Sequence, residues 1–343
     1  MPTLRDLSKH LGLSVTQVSR ALNGHSDVGA ETRERVMAAA RKLNYQPNLS
    51  ARKLVSGRSG MVGLVLPGVP ATQFDSLFVQ FVGGLSQHFS ARNMQFVLHI
   101  SSPGDDPVKV YERLVNSGSL DGFVVLEPVA NDPRIAFLRK RKVPFVVHGR
   151  LGPAPDYPFF DIDNEQVGHS LAALLIEGGH RKISFINGLA DRTYAHAREV
   201  GFRRALDEAG IRPDPRRFLN GEMTDGFGLL STARLWSEGE PPTAIACGNM
   251  WIAKGVFMAL EAMGLSVPQD VSVVAHDDEL PGLESTRMPT PLTVTRSPLQ
   301  ESWKPIADIL VGAVSNEPLE NLQRFGPVLT IRRQSVAQLS KSL

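Results

Sequence analysis

Apolar residues follow a helical spacing in the first part of the chain. Positions three and four residues apart predict a short helix over 3–11, a second over 15–22 and a third over about 32–43. Gly12 falls between the first two and predicts a tight turn. Two short helices joined by such a turn are typical of a helix-turn-helix motif, so we expect an all-α head.

The starts of the first two helices carry the pattern of a capping box. Thr3 is followed three residues later by Asp6, and Ser14 is followed in the same way by Gln17. In a capping box the first side chain bonds to the backbone amide three residues on, and the second side chain bonds back. The repeated pattern supports the prediction of two separate helices.

After Gly60, short apolar runs alternate with amphipathic helical patterns. The runs are MVGLVLP, FVLHI, GFVVL, PFVVHG, ISFING, AIACGN and VSVVAH. Buried runs separated by helices are typical of parallel sheets built from βαβ units. About ten strands are too many for one such sheet in a typical domain, so we expect an α/β body of two doubly wound lobes, divided near residue 161. In such folds ligands bind in the crevice beyond the strand ends.

Composition narrows the class of protein. A length of 343 residues indicates about two domains. The single cysteine, Cys247, excludes an internal disulfide framework and a thiolate metal cluster, and its apolar surroundings predict a buried structural thiol. The chain has no apolar run near the ~18 residues of a membrane span, and it begins with the polar segment MPTLRDLSKH. We therefore expect a cytoplasmic protein that has no membrane partner.

The net charge of +2 conceals an asymmetry. Residues 1–60 contain ten basic and four acidic residues, whereas the remaining residues contain 27 and 31. A basic head on a mildly acidic body indicates a polyanion partner for the head, although a solvated helical surface can also be basic.

The exposed side chains of the second helix suit DNA. Arg20 can pair with guanine through two hydrogen bonds, Thr16 and Gln17 can bond to base edges, and Val15 can touch a thymine methyl group. The helix N-termini at Thr3 and Ser14, and the polar residues Ser19, Asn23 and Arg33, are better suited to contact phosphate oxygens. Small three-helix heads also mediate protein contacts, which is the alternative here.

The segment after the third helix predicts a hinge. Pro47 ends that helix, and Gly57 with Gly60 supplies a flexible joint. The one or two helical turns between them contain Leu49 and Leu54. A helix this short is unstable alone in water, so we expect it to fold only against DNA or a partner subunit.

The runs TLRDLSKHLGLSVTQVSRALNG and NYQPNLSARKL closely resemble the head and hinge of the lac and galactose repressor (LacI/GalR) family. The resemblance implies a repressor that binds a pseudo-palindromic operator in double-stranded DNA as a homodimer, with paired hinge helices in the minor groove. It also implies that Leu54 is a wedge that opens a base step, flanked by Asn48 and Ala51. Lys53 beside it is expected to contact phosphate. Val15, Thr16 and Arg20 match the base-reading positions of the family.

The family resemblance extends over the body. The matching sequence elements are Asp163-Asn164 with Gly168, Gly179-His180-Arg181-Lys182-Ile183, Ala197-Arg198 with Gly201-Phe202, and His276-Asp277-Asp278. It implies the periplasmic-binding-protein type I fold, in which the chain crosses between lobes three times, here near 161, 291 and 326. The expected domains are a head over 1–46, a hinge over 47–60 and a body over 61–343. Lobe one would span about 61–161 and 292–325, and lobe two about 162–291 and 326–343.

The resemblance also implies an effector site in the crevice. Arg198, Asn249 and Asp277 match polar contacts, and the flanking or wall positions are Val69, Phe74, Tyr194 and Met223. An Arg–Asp pair across a cleft can instead be a simple ion pair. Relatives often have Asn-Asp where this chain has Asn249-Met250, and Asp at Gly149, so the identity of the ligand does not transfer.

The side chains of Arg198, Asn249 and Asp277 favour a neutral mono- or disaccharide as the effector. Hydrogen-bond donors together with a carboxylate can bind neighbouring hydroxyl groups of a sugar ring. The stretch VVHGR is faintly similar to regulators of α-glucoside use. A purine-type effector is the alternative and would require aromatic faces above and below the base.

An enzyme with a DNA-binding head is the competing function class. The sequence has no G-x-G-x-x-G, Walker A, H-E-x-x-H or G-x-S-x-G motif, and we expect no catalysis, cofactor or metal. The run His276-Asp277-Asp278 could imitate an acid–base cluster, but it fits ligand orientation equally well. A transport binding protein of the same fold would need an export signal.

Two helical patterns of the body, 77–89 and 252–263, have apolar faces where relatives dimerise, and core packing explains the same residues nearly as well. The C-terminal SVAQLSKSL is too short for a coiled-coil tail, so we expect a dimer.

Overall fold

A computed structural model describes residues 2–22, 27–45, 58–68, 76–280 and 282–339, without the side chains of residues 76–78. The chain divides into two compact units, Met1–Gly60 and Met61–Leu343. Across the described ranges, none of the helices combines the length and the apolar character needed to cross a membrane.

The head consists of three helices, α1 (Leu4–Leu11), α2 (Val15–Leu22) and α3 (Ala30–Lys42). All three confirm the predicted elements, and α3 begins two residues earlier than expected. Thr3 and Asp6 form the predicted capping box, and Ser14 and Gln17 form the second one. The three helices bury a small core made of Leu7, Val18, Ala21, Val36 and Ala39.

The body contains twelve strands, eight α-helices and three 3-10 helices within the described residues. The strands are β1 (Met61–Leu66), β2 (Gln95–Ile100), β3 (Gly122–Leu126), β4 (Phe145–His148), β5 (Phe159–Ile162), β6 (Ile183–Asn187), β7 (Phe218–Asn220), β8 (Ala244–Cys247), β9 (Ser272–Asp277), β10 (Thr293–Arg296), β11 (Gln323–Gly326) and β12 (Leu329–Ile331). The α-helices are α4 (Ser76–Ser90), α5 (Pro107–Asn116), α6 (Pro133–Lys140), α7 (Asn164–Glu177), α8 (Thr193–Glu208), α9 (Asp225–Ser237), α10 (Met250–Ala262) and α11 (Trp303–Val314). The 3-10 helices are Pro215–Arg217, Leu299–Ser302 and Leu319–Leu322.

Two six-stranded sheets form the two lobes. The first has the order β11-β5-β4-β3-β1-β2 and is parallel throughout. The second has the order β12-β10-β9-β8-β6-β7 and is parallel except for the pair β10–β12. The doubly wound fold is therefore confirmed, because apolar strands buried on both faces require helices on either side.

One predicted crossing between the lobes is corrected by the sheet register. A crossing near residue 291 would place 292–325 in lobe one, but Thr293 pairs with Val274 and Arg296 with Asp277 in the second sheet. The chain therefore leaves lobe two only after Arg296. Pairing with β9 on one edge and with β12 on the other satisfies the backbone groups of β10 within the second sheet.

Close contact between two helices of lobe two is set by glycine. A Cβ atom at Gly168 in α7 would lie 1.8 Å from the backbone oxygen of Arg198 in α8, and one at Gly201 would lie 1.8 Å from the backbone oxygen of Glu165. Only glycine leaves room for such an approach of two backbones. The pair fixes the position of the helix that carries Arg198.

Candidate functional site

A cavity of about 1010 Å³ lies where the carboxyl ends of the strands of both sheets meet, at the upper end of the range for small-molecule sites. Lobe one contributes a largely apolar wall formed by Leu64, Leu66, Phe81, Leu126, His148 and Phe160. Lobe two contributes a largely polar wall that includes Asn164, Arg198, Glu222, Thr224, Asn249 and Asp278. The two walls suit a ligand with one polar and one apolar face.

Arg198 is the centre of a buried hydrogen-bond network. Its Nε donates to Asn164 Oδ1 at 2.8 Å, and its Nη1 donates to the backbone oxygen of Gly248 at 2.6 Å. Asn164 Nδ2 in turn donates to Asp161 Oδ1 at 3.0 Å. The guanidinium also lies over the ring of Tyr194, 5.4 Å from its centroid. Burial lowers the pKa of Arg198, but an arginine keeps its charge in proteins.

Two carboxyl groups in the cavity wall are easier to protonate than usual. Burial raises the pKa of Asp278 to about 6 and that of Asp161 to about 6, although Arg198 opposes both shifts. Asp278 Oδ1 is buried and has no hydrogen-bond partner among the described residues. A ligand hydroxyl that donates to this oxygen would remove the cost of leaving a polar atom unsatisfied.

The histidines of the cavity are neutral near pH 7. His148 lies between two aromatic rings, with centroid distances of 6.1 Å to Phe81 and 6.2 Å to Phe160. Burial lowers the pKa of His148 to about 4 and lowers that of His276 well below its ordinary value. His276 Nδ1 also lies 3.0 Å from Thr295 Oγ1. The ring of His148 therefore adds to an aromatic surface rather than to the charge of the site.

The structure brings four of the predicted effector residues to the cavity wall: Tyr194, Arg198, Met223 and Asn249. Asn249 also begins α10, because its Oδ1 accepts from the amide of Ile252 at 2.9 Å. Val69 and Phe74 lie outside the described residues.

For Asp277 the structure corrects the prediction by one position. The carboxylate of Asp277 is buried and accepts from the amide of Glu279 at 2.9 Å, while Asp278 lines the cavity. Successive side chains of a strand point to opposite faces, so the last strand residue and the next one cannot both face the cleft. Sequence reasoning also missed Asp161, whose position at the end of an apolar strand was the available signal.

In the head, Val15, Thr16, Gln17 and Arg20 are all exposed on α2, as predicted from the periodicity. Gln17 Oε1 is engaged by the Ser14 hydroxyl at 3.0 Å, so its amide nitrogen is the atom that can reach a base edge. Arg20 pairs with Asp27 at 2.6 Å.

Among the other predicted DNA-contact residues, Thr3 and Ser14 are exposed. Ser19 is half-buried, and Arg33 Nη2 donates to the backbone oxygen of Val28 at 3.4 Å. Five of the predicted contacts lie outside the described residues: Asn23, Asn48, Ala51, Lys53 and Leu54.

Comparison with known proteins gives matches over most of the chain. Residues 3–48 match the model of bacterial regulatory proteins of the lacI family, and residues 172–336 match a periplasmic binding protein-like domain. The HTH-type transcriptional regulator AglR of Rhizobium meliloti (strain 1021) is 40% identical over 315 residues, which are 92% of this chain and 88% of that one. The HTH-type transcriptional regulator RafR of Escherichia coli is 35% identical over 276 residues, covering 80% and 81%. A solved structure, the transcriptional regulator CelR–cellobiose complex, matches with a TM-score of 0.71 and 27% identity over 98% of this chain and all of that one.

Proposed function

This chain belongs to the lacI family of bacterial regulatory proteins, and from that premise we propose that a neutral sugar in the interlobe cavity controls its binding to operator DNA. The chain is a DNA-binding transcriptional regulator with a body of the periplasmic-binding-protein type I fold, and its relatives are regulators rather than enzymes. The observation that carries the proposal is the pairing of a polar wall around Arg198 and Asp278 with an apolar wall around His148.

A sugar ring matches both walls. Its hydroxyl groups can donate to Asp278 and accept from Arg198 and Asn249, which satisfies groups of opposite hydrogen-bonding character. The C–H face of the ring can pack on the apolar wall at Phe81 and His148. A related regulator has been solved with the disaccharide cellobiose, which supports the class of ligand. We place α-glucosides first among the sugars to test, on the resemblance of the VVHGR stretch.

Purine-type effectors remain the second candidate because the cavity also contains aromatic rings, namely Phe81, His148, Phe160 and Tyr194. A thermal-shift panel of maltose, trehalose, sucrose, their phosphates, hypoxanthine and guanine separates the classes. A ligand at ~100 times its dissociation constant adds ~2.7 kcal/mol to the free energy of unfolding, which raises the melting temperature by several degrees. A shift by neutral sugars supports the proposal, and a shift by purines alone contradicts it.

On DNA, we propose that two copies bind the two halves of a pseudo-palindromic operator. Arg20, Thr16, Gln17 and Val15 would contact base edges in the major groove. Thr3, Ser14, Ser19, Asn23, Arg33 and Lys53 would contact phosphate, and Leu54 would enter the minor groove between Asn48 and Ala51 of the hinge.

For the dimer, much of the apolar character of the two helical patterns over 77–89 and 252–263 belongs to the lobe cores: Phe81, Leu85, Phe257 and Leu260 are buried there. The exposed large hydrophobic residues of these helices, among the side chains that the structure describes, are Val79 (64% exposed) and Met258 (44%). We propose these two side chains as part of the contact between copies.

We predict that Arg20→Ala loses discrimination at one base pair of each half-site, by ~1–3 kcal/mol, because its fork of donors can hold a guanine in two bonds. Fluorescence anisotropy on the operator and on singly substituted duplexes measures the effect. The matched control is Lys53→Ala, which should weaken binding to all duplexes about equally and reduce the salt slope by roughly one unit. Full preference for the operator in Arg20→Ala would remove the base-reading assignment.

Effector affinity is expected to fall as the pH is lowered through about 6, the pKa to which burial raises Asp161 and Asp278. Hydroxyl groups that donate to a carboxylate favour its ionised form, so binding is stronger above this pKa and weakens where the free site is protonated. His148, with its pKa lowered to about 4, stays neutral in this window. Isothermal titration between pH 5 and 7.5 measures the change. Asp278→Asn should reduce the slope of the profile and leave the part that Asp161 contributes, and an equal slope in that variant would contradict the assignment.

A further inference from the structure

The two lobes are joined by the three segments in which the chain crosses between them, and they also touch at the edge of the cavity. The loop after β3 meets the loop before α8: Thr193 donates its backbone amide to the backbone oxygen of Pro128 at 3.2 Å. Val129 and Arg192 form an isolated antiparallel bridge. Arg192 Nε lies 3.7 Å from Glu127 Oε2. Glu127, Pro128, Arg192 and Thr193 all line the cavity.

The lobe-one side of this contact is held in a strained conformation by a buried ion pair. Glu127 has a positive φ of 47°, which is uncommon for a residue with a side chain. Arg134 donates to the backbone oxygen of Glu127 at 3.3 Å and pairs at 2.6 Å with Asp132, whose side chain is fully buried. Asp132 also accepts from the amide of Val129 at 3.2 Å. Strain of this kind persists only where surrounding contacts over-determine it, and it is concentrated at clamps and switches.

The lobe-two side is the start of the helix that carries Arg198. The N-cap residue of α8, Arg192, makes no side-chain capping bond. The first amides of a helix have no partner inside the helix and need one from elsewhere. Thr193, the first residue of α8, obtains its partner from Pro128 in the other lobe. Tyr194 and Arg198 follow on the same helix, so the contact is joined directly to the ligand-facing side chains.

We propose that Glu127–Val129 and Arg192–Thr193 form a latch that holds the two lobes together over an occupied cavity. Because the latch joins the two lobes at the cavity wall, its opening would let the lobes separate and so would speed ligand entry and release. The Glu127–Arg192 ion pair is its exposed, adjustable element, with side chains 66% and 27% exposed. Asp191 also lies 4.0 Å from Arg192, but both belong to the same loop, so that contact does not join the lobes.

Hydrogen exchange of the Thr193 amide in the full-length chain tests the latch without any ligand. Reversing the charge in Glu127→Arg should speed exchange at this amide by up to about fivefold, the scale of an exposed ion pair. The double variant Glu127→Arg/Arg192→Glu should return the rate towards the wild-type value. The control Glu238→Arg reverses the charge of one partner in an exposed ion pair with Arg234 at the C-terminal end of α9, and it should leave the exchange rate at Thr193 unchanged.

Wild-type exchange at Thr193 in Glu127→Arg, or no recovery in the double variant, would overturn the latch. Only the expected influence of the latch on effector dissociation rests on the proposed function. With maltose as the probe, stopped-flow dissociation followed by the fluorescence of Trp251 in the cavity wall should be faster in Glu127→Arg by the same factor and restored in the double variant. An unchanged rate contradicts a role of the latch in release. Absence of any maltose signal counts against the choice of sugar, while the exchange result still decides whether the latch exists.

Discussion

Replacing Gly168 with alanine should lower the free energy of unfolding of the body by about 3 kcal/mol or more, at the upper end of the range for overpacked cores. The new Cβ atom would lie 1.8 Å from the backbone oxygen of Arg198. A backbone oxygen cannot avoid the clash by a rotamer change, as a flexible side chain can, so α7 and α8 must move apart. Because Arg198 belongs to α8, the same movement should weaken effector binding.

Gly83→Ala is the matched control for this variant. Gly83 lies within α4, is exposed, and has no heavy atom within 4 Å of an added Cβ. Alanine there should raise the free energy of unfolding by roughly 0.5–1 kcal/mol, because glycine loses more backbone entropy on folding. Guanidinium unfolding curves measure both variants. Equal, small effects in the two would show that α7 and α8 are not in close contact.

Arg198→Ala should reduce effector affinity on the order of 100-fold, since hydrogen bonds to a charged group contribute ~1.5–3 kcal/mol each. The variant removes a donor from the cavity wall, and it also leaves Asn164 Oδ1 and the Gly248 oxygen without their partner. Asp278 and Asp161 lose the positive charge that holds their pKa down. Arg198→Lys should not restore binding, because an ammonium group cannot reproduce the planar fork of donors.

Arg204→Ala is the control on the same helix. Arg204 is exposed and pairs with Glu165 at 3.3 Å, away from the cavity wall. Titration calorimetry should give the wild-type dissociation constant for this variant, since an exposed ion pair contributes at most ~1 kcal/mol. Wild-type affinity in Arg198→Ala as well would exclude this residue from the effector site.

The elements that local chemistry determines were predictable from the sequence. Each capping box involves only neighbours in the chain, so Thr3 with Asp6 and Ser14 with Gln17 were identified from their spacing alone. The alternation of apolar runs and helices likewise predicted both parallel sheets. These features depend on side-chain type and period, which a single sequence contains.

The features that were missed depend on distant parts of the chain. The position of β10 beside β9 is a tertiary choice, and nothing local distinguishes it from a strand of lobe one. Asp278 replaced Asp277 in the cavity because the exact end of β9 decides which side chain faces the cleft. The hydrogen bond from Arg198 to the Gly248 oxygen uses a backbone atom, which carries no sequence signature.

We propose above that a small molecule in the cavity changes the affinity of the head for operator DNA. The most direct test measures anisotropy binding curves on a palindromic duplex, selected from a random library by the full-length chain, with and without the sugar that raises the melting temperature most. We expect the sugar to change the dissociation constant for DNA in the wild type and to leave it unchanged in Arg198→Ala. An equal change in both proteins, or none in the wild type at a saturating sugar concentration, would contradict it.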